Sequence, residues 1–242
     1  MRPKIYLFGD SITEESFSDG GWGSSLANHF SRTGDVVLRG YSGYNTRWAL
    51  KVKEKVFPPP LPPDGGAGGD LLAVTVFFGA NDACLPDRCS GFQHVPLEEY
   101  KHNLKAIVAF LKKQWPCTRI ILITPPPIDE AGRLLHPYVE NPSDQPERTN
   151  EAAGKYSKEC LAAAAECDVS SIDLWTKMQQ FPGWRNTYLR DGLHLTPDGN
   201  KVVFEEVIGR LKELGISLET LLADLPLLAE IDPNDPLKSF EN

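Results

Sequence analysis

Three side chains of this sequence, a serine, a histidine and an aspartate, are of the types that together catalyse acyl transfer. Ser11 closely follows an apolar run that ends at Gly9, and the stretch RDGLHLTPDGNK contains Asp191 and His194. Acyl transfer to serine needs a base that removes the hydroxyl proton and a carboxylate that orients the base. The sequence therefore predicts Ser11 as the nucleophile, His194 as the base and Asp191 as the orienting carboxylate.

Acyl transfer also needs hydrogen-bond donors for the negative charge that develops on the carbonyl oxygen. Three candidate donors follow predicted strands: the backbone N–H groups of Ser11 and Gly43 and the side-chain amide of Asn81. Gly43 suits this role because the absence of a Cβ lets its N–H approach a substrate closely. We expect these three groups to form an oxyanion hole.

Each of these residues also has an ordinary structural explanation. Serine and asparagine cap helices and glycine makes turns, so a serine after a strand is more often structural than catalytic. Asp10 competes with Asp191 for the role of the orienting carboxylate. Because adjacent side chains diverge at a sharp turn and aspartate readily accepts backbone N–H groups, we interpret Asp10 as a supporting residue that stiffens the turn.

Five short runs rich in apolar and β-branched residues predict the strands that position these groups. Their nearly continuous apolarity is typical of strands buried on both faces of a parallel sheet. The runs are residues 4–8, 35–40, 71–78, 119–124 and 169–175.

Helical patterns lie between these runs. Apolar residues three or four apart, helix caps and alanine enrichment predict three clear helices and two weaker ones. They cover residues 96–115, 149–166 and 201–215, and more weakly 22–32 and 45–55. Alternation of strand and helix predicts right-handed βαβ units, and hence a three-layer α/β/α sandwich with helices on both faces of a parallel sheet.

We expect one domain over residues 1–242, in which a core of residues 1–215 is followed by a short helix at SLETLLADL and an acidic tail in 216–242. Residues 58–69 are rich in proline and glycine and predict a mobile surface loop. The connection at 125–148 has a length typical of a functional flap or of disorder.

Composition argues against several classes of function. With a net charge of −8, the chain has no basic surplus to neutralise nucleic-acid phosphates or an anionic membrane. No apolar run approaches the ~18 residues of a membrane span, and no segment resembles a signal peptide. The five cysteines lack a repeated C-x-x-C spacing, which is typical of unpaired thiols in a reducing compartment, so we predict a cytoplasmic protein.

The remaining histidines and the aromatic residues near the motifs carry weaker signals. His29, His94, His102 and His136 show no H-x-x-x-H or H-E-x-x-H spacing, so neither a metal nor another cofactor is predicted. The aromatic side chains of Phe17, Trp22 and Trp48 fit the wall of a small acyl pocket or the core equally well.

Four blocks of the sequence, GDSITE, RGYSGYNTR, FFGAND and DGLHLTPDGNK, resemble those of the SGNH (GDSL) hydrolases. They occur in the family's order over residues 4 to about 214, and they resemble the isoamyl-acetate-hydrolysing esterase branch and short plant GDSL esterases. The resemblance implies a flavodoxin-like, five-stranded parallel sheet of order 2-1-3-4-5 and ester hydrolysis without a metal. It places the family's catalytic and oxyanion-hole residues at Ser11, Gly43, Asn81, Asp191 and His194.

We therefore predict a serine esterase that hydrolyses small carboxylic esters, with short acyl or acetyl groups, through an acyl-enzyme. An acyl thioesterase and a deacetylase of acetylated sugars would use the same site. A non-catalytic binding protein on this fold would have Ser11 and His194 far apart. A flavin-binding domain is disfavoured because GDSITE lacks a glycine-rich phosphate cradle. The expected partner is a small ester, with neither nucleic acid nor membrane, and the sequence leaves a homo-oligomer open.

Overall fold

Strands and helices alternate along the chain in the computed structural model, which describes residues 2–57, 71–137, 140 and 144–240. The strands are β1 (Lys4–Gly9), β2 (Asp35–Gly40), β3 (Leu71–Phe77), β4 (Arg119–Ile123) and β5 (Ser170–Ile172). The helices are α1 (Ser11–Glu14), α2 (Trp22–His29), α3 (Thr46–Val56), α4 (Leu97–Gln114), α5 (Glu130–Leu135), α6 (Asn150–Glu166), α7 (Leu174–Gln179), α8 (Trp184–Tyr188) and α9 (Pro197–Glu213).

The five strands form one sheet in the order β2-β1-β3-β4-β5, and every neighbouring pair is parallel. Gly9, at the carboxyl end of β1, lies opposite Gly40 of β2 and Phe77 of β3. The predicted α/β class and the flavodoxin-like strand order are confirmed. The loops that follow β1, β2 and β3 consequently emerge side by side at one edge of the sheet.

The sheet is buried on both faces. Ile121 and Ile123 of β4 belong to an apolar cluster that includes side chains of α2 and α9. The alternate residues Ile120 and Leu122 belong to a second cluster, formed with α3, α4 and α6. This alternation explains why the strand sequences are apolar throughout.

Two predicted elements differ from the structure. The fifth strand was expected to reach residue 175 but ends at Ile172, because the Asp173 side chain accepts the N–H of Thr176 at 3.0 Å and caps α7. The helix expected at 217–225 does not form. Of its leucines, Leu221 packs against the core whereas Leu222 is 90% exposed, and Asp224 pairs with Arg2 and Arg32.

The proline- and glycine-rich segment 58–69 lies outside the described residues. So do residues 138–139 and 141–143 of the long connection at 125–148, whose remaining part contains α5. Among the helices of the described ranges, none is long and apolar enough to cross a bilayer.

Candidate active site

A cavity opens at the carboxyl edge of the sheet, where the loops after β1, β2 and β3 meet the turn before α9. Its empty space is about 480 Å³, part of which is open to solvent. The residues that line it are Ser11, Glu15, Ser42, Gly43, Asn81, Gln93, Arg133, Arg148, Leu193 and His194. Four of the residues predicted from the sequence therefore border one space, and Asp191 lies directly behind His194.

Ser11 occupies the first position of α1. The Asp10 side chain caps this helix by accepting the N–H of Ile12 at 3.0 Å. The backbone N–H of the first helical residue has no partner within its helix. The Ser11 hydroxyl and the Ser11 backbone N–H are thus held together at a helix N-terminus beside the cavity.

The imidazole of His194 lies between a hydroxyl and a carboxylate. His194 Nε2 is 2.9 Å from Ser11 Oγ, and His194 Nδ1 is 2.7 Å from Asp191 Oδ2. Because an ionised carboxylate only accepts, Nδ1 carries the ring hydrogen and Nε2 is left to accept from the serine hydroxyl. This is the tautomer that general-base catalysis requires.

The turn that carries Asp191 and His194 is closed by its own hydrogen bonds. Asp191 Oδ1 accepts the backbone N–H groups of Leu193 at 3.0 Å and His194 at 2.7 Å, and the Arg190 N–H donates to the His194 carbonyl at 2.9 Å. Burial acts to raise the pKa of Asp191. The hydrogen bond and charge of His194 and the two backbone N–H groups outweigh burial and hold that pKa well below its ordinary value. Asp191 is therefore an ionised acceptor at neutral pH.

Asp10 has quite different surroundings from Asp191. It is 1% exposed, and its Oδ2 atom has no hydrogen-bond partner among the described residues. Burial raises the pKa of Asp10 to about 7, although the Ile12 N–H acts in the opposite direction. Its other oxygen caps α1, so Asp10 contacts the helix that carries the serine and makes no hydrogen bond to the imidazole.

Gly43 has a left-handed backbone conformation, with a φ of +78°. The loop that contains it is tied to α1, because Glu14 Oε2 accepts the backbone N–H of Ser42 at 2.7 Å. The backbones of β2 and α1 also touch, since a Cβ added at Gly40 would overlap the backbone of Glu14. The expected oxyanion donor Gly43 and the serine thus belong to loops in direct contact.

The Asn81 side chain is fixed on both sides of its amide. Its nitrogen donates to the Tyr44 carbonyl at 2.8 Å, and its oxygen accepts from Arg148 Nη2 at 2.9 Å and Gln93 Nε2 at 3.3 Å. One of the two amide hydrogens is engaged by Tyr44, and within the described part of the chain no partner takes the other. That hydrogen is available to a ligand in the cavity that Asn81 lines.

Sequence reasoning missed four polar residues of the site: Gln93, Arg133, Glu147 and Arg148. All four are buried, with exposed fractions of 4% or less, although three of them are charged. Arg133, Glu147 and Arg148 fall in the proline-rich connection, where no periodicity signals burial. No local sequence pattern places Arg133 or Arg148 at the wall of the cavity, and only the fold brings them there.

The three aromatic residues offered as walls of an acyl pocket do not line this cavity. Trp22 is fully buried in the core, Trp48 stacks on Phe92, and Phe17 is 38% exposed. The other histidines do not line the cavity either. His102 and His136 are exposed, His29 packs against Phe30 and Phe204, and His94 contacts the Cys84 carbonyl. In the described ranges, no group of three or more His, Cys, Asp or Glu side chains could hold a metal ion.

Comparison with known proteins identifies the same family that the sequence motifs resemble. The chain matches the family model of GDSL-like lipases and acylhydrolases over residues 5–207. It is 67% identical to a GDSL esterase/lipase of Arabidopsis thaliana over 241 residues, which cover 100% of this chain and 99% of the relative. It is 43% identical to the isoamyl acetate-hydrolyzing esterase 1 homolog of Homo sapiens over 234 residues, 96% of this chain and 91% of that protein.

Solved structures share the fold at low sequence identity. A lipase/acylhydrolase from Enterococcus faecalis superimposes with a TM-score of 0.65 at 24% identity, covering 93% of this chain and all of that one. The acetyl xylan esterase AlAXEase gives a TM-score of 0.65 at 20% identity, covering 86% of this chain and 99% of its own.

Proposed function

We propose that this chain, which belongs to the GDSL-like lipase/acylhydrolase family and is a carboxylic ester hydrolase, cleaves small esters of short-chain acids through an acyl-enzyme. The observation that carries the proposal is the continuous line of hydrogen bonds from Ser11 Oγ through the His194 ring to Asp191 Oδ2. This line joins the three partners that nucleophilic catalysis by serine needs, a hydroxyl, an imidazole and a carboxylate.

In the first half of the reaction, Ser11 Oγ attacks the ester carbonyl while His194 Nε2 takes the hydroxyl proton. Asp191 keeps the ring in the required tautomer and stabilises the imidazolium. The imidazolium then gives its proton to the oxygen of the departing alcohol, and the acyl group stays on Ser11. In the second half, a water molecule loses a proton to His194 and attacks the acyl-enzyme, which releases the acid and restores the hydroxyl.

Three donors serve the oxyanion in this proposal: the backbone N–H groups of Ser11 and Gly43 and the free amide hydrogen of Asn81. The Ser11 N–H, at the first position of α1, has no partner within its helix and is available to the oxyanion. Removal of one such donor costs about 3 kcal/mol of transition-state stabilisation in comparable sites.

The lining of the cavity and the names of the relatives support a short acyl group. The cavity is bounded by the buried side chains of Asn81, Gln93, Arg133 and Arg148, which leave no long apolar channel among the residues that line it. One relative is named for isoamyl acetate and one structural neighbour for acetyl xylan. We propose acetate and similarly short acids as the acyl part of the substrate. A panel of substrates with different leaving groups would distinguish a simple ester from a thioester or an acetylated sugar.

Replacement of the serine tests the proposal. Ser11→Ala should lower kcat on p-nitrophenyl acetate by about 10⁴-fold or more, because the other groups cannot form the covalent intermediate. A fluorophosphonate probe should label the parent protein at Ser11. Ser42→Ala is the matched control, since its serine lines the same cavity without an imidazole at its hydroxyl, and it should keep the label. Equal turnover by Ser11→Ala and the parent protein, at unchanged circular dichroism, would refute the mechanism.

We also propose a reducing compartment such as the cytosol. All five cysteines, at positions 84, 89, 117, 160 and 167, are free thiols. Unpaired cysteines are the common state in reducing compartments.

A further inference from the structure

A chain of buried charged side chains runs behind the cavity from Asn81 to Asp191. Arg148 donates from Nη2 to Asn81 Oδ1 at 2.9 Å and from Nη1 to Glu147 Oε1 at 2.7 Å. Arg133 Nε donates to the same Glu147 oxygen at 2.8 Å, and its Nη1 donates to the Asp191 carbonyl at 3.1 Å. The side chains of Arg133, Glu147 and Arg148 are at most 5% exposed, so solvent does not screen them.

This chain determines which end of the Asn81 amide faces the cavity. A guanidinium has no acceptor atom, so the Asn81 atom that faces Arg148 must be the oxygen. Gln93 Nε2 donates to that oxygen as well and also to the Gly43 carbonyl at 2.8 Å. An amide rotated by 180° would put its NH₂ group against Arg148 and an oxygen towards the oxyanion, where it would repel the negative charge.

Stability alone does not account for these charges. A buried ion pair or triad is often no more stable than apolar side chains of similar volume, because desolvation offsets the attraction between the charges. The guanidinium of Arg148 nevertheless makes four hydrogen bonds in fixed directions, to the Ala80 carbonyl, Glu147, Asn81 and Gln93. Directional contacts of this kind fix geometry more than they add stability.

We propose that Arg148 is a positioning residue that aims the Asn81 N–H at the oxyanion, and that Glu147 holds Arg148 in place. Through Arg133, the same carboxylate links the oxyanion hole to the backbone of Asp191. This inference rests on the proposed function, in which Asn81 is an oxyanion donor. Arg148 itself does not contact the reacting atoms.

A double-mutant cycle between Arg148 and Asn81 tests the proposal. Arg148→Lys keeps a cation beside Glu147 but loses the planar fork that reaches Asn81. With p-nitrophenyl acetate, it should lower kcat by about 10- to 100-fold with little change in KM, because a displaced donor weakens the transition state more than the ground state. Asn81→Ala should lower kcat by about 10²- to 10³-fold.

The decisive measurement is the effect of Arg148→Lys in the Asn81→Ala background. If Arg148 acts through Asn81, adding Arg148→Lys should change kcat by less than about 2-fold, because the group that it positions is already gone. Arg47→Lys is the matched control, since Arg47 pairs with Glu99 at the surface and does not line the cavity, and it should keep the parent kcat.

The outcomes separate the two proposals. Equal falls in kcat from Arg148→Lys in both backgrounds, or the parent kcat in Arg148→Lys alone, would overturn the positioning role and leave the oxyanion role of Asn81 intact. The parent kcat in Asn81→Ala would refute the oxyanion role itself, and the inference with it. If Arg148→Lys does not fold, the nearly isosteric Glu147→Gln replaces it in the same double-mutant cycle. Glu147→Gln should then lower kcat by about 10-fold or less in the parent protein, and should leave kcat unchanged in the Asn81→Ala background.

Discussion

At the scale of single residues, the site distinguishes two aspartates by their surroundings. Asp191 accepts hydrogen bonds at both carboxylate oxygens, whereas Asp10 caps α1 with one oxygen and leaves the other without a partner among the described residues. Proximity to Ser11 along the chain therefore says nothing about which carboxylate orients the imidazole. The contact with His194 Nδ1 belongs to Asp191.

Asparagine substitutions at these two positions should separate their roles. Asp191→Asn should lower kcat by about 10³- to 10⁴-fold on p-nitrophenyl acetate, because an amide no longer fixes the ring tautomer or stabilises the imidazolium. Asp10→Asn keeps the oxygen that caps α1 and should lower kcat far less. The opposite order of the two effects, measured on folded protein, would assign the orienting role to Asp10.

At the scale of elements, backbone conformation positions Gly43, which we propose as an oxyanion donor. The φ of Gly43 is +78° and that of Gly215, just beyond α9, is +80°, so both glycines lie in the left-handed region, which costs other residues about 1–2 kcal/mol. They differ in what surrounds them. A Cβ at Gly43 would lie 3.3 Å from Gln93 Nε2, and a Cβ at Gly215 would meet nothing within 4 Å.

Alanine at these glycines gives a matched pair of variants. Gly43→Ala and Gly215→Ala should each lower the free energy of unfolding by about 1–2 kcal/mol in urea titrations, because both acquire the same backbone strain. Only Gly43→Ala should also lower kcat, by up to about 10²-fold, since it displaces an oxyanion donor. A parent kcat in Gly43→Ala would remove Gly43 from the oxyanion hole.

The sequence predicts strands and helices in which an apolar pattern repeats along the whole element. It does not predict features that depend on a single side-chain contact. The five strands and α4, α6 and α9 follow from apolar periodicity, which buried sheets and amphipathic helices impose along their whole length. The end of β5 coincides with one cap at Asp173, and the segment 217–225, which is not helical, is held by ion pairs of Asp224 with the distant Arg2 and Arg32.

The residues of the candidate site also divide into those that a local pattern predicts and those that it does not. Asp191 and His194 share one short turn, and Ser11 and Asn81 follow strands, so local patterns reveal them. Arg148 lies 67 residues from its partner Asn81, in a segment without periodicity. No local physical constraint marks such a residue, because its burial is set only by the packing of the finished fold.

At the scale of the whole molecule, burial of acidic groups links folding to pH. Asp10 and Asp82 are both fully buried in a chain with a net charge of −8, and burial raises the pKa of each to about 7. The unfolded chain releases these protons near pH 4, whereas the folded chain keeps them until about pH 7. Over that range the folded state binds more protons, so these groups make the free energy of unfolding fall as pH rises.

Asp10→Asn should reveal this linkage. The free energy of unfolding of the variant, minus that of the parent protein, should rise by about 2–3 kcal/mol from pH 5 to pH 8. The reason is that the variant has no carboxylate to ionise inside the protein. Urea titrations at the two pH values measure the difference. Asp19→Asn, at an exposed position, is the control, and its free energy of unfolding should differ from that of the parent protein by the same amount at both pH values. A pH-independent effect of Asp10→Asn would show that Asp10 does not keep its proton on folding.

The bare contact between Gly40 and the backbone of Glu14 has a consequence for how such an enzyme can diversify. A Cβ at Gly40 would overlap the Glu14 backbone, so the main chain itself sets the spacing between α1, which carries Ser11, and the end of β2, from which the Gly43 loop leaves. That spacing is inherited from the pairing of β1 with β2. Glu15 and Ser42 line the cavity outside this contact, so we expect substitutions of these two residues to change the preferred ester more than the reacting geometry.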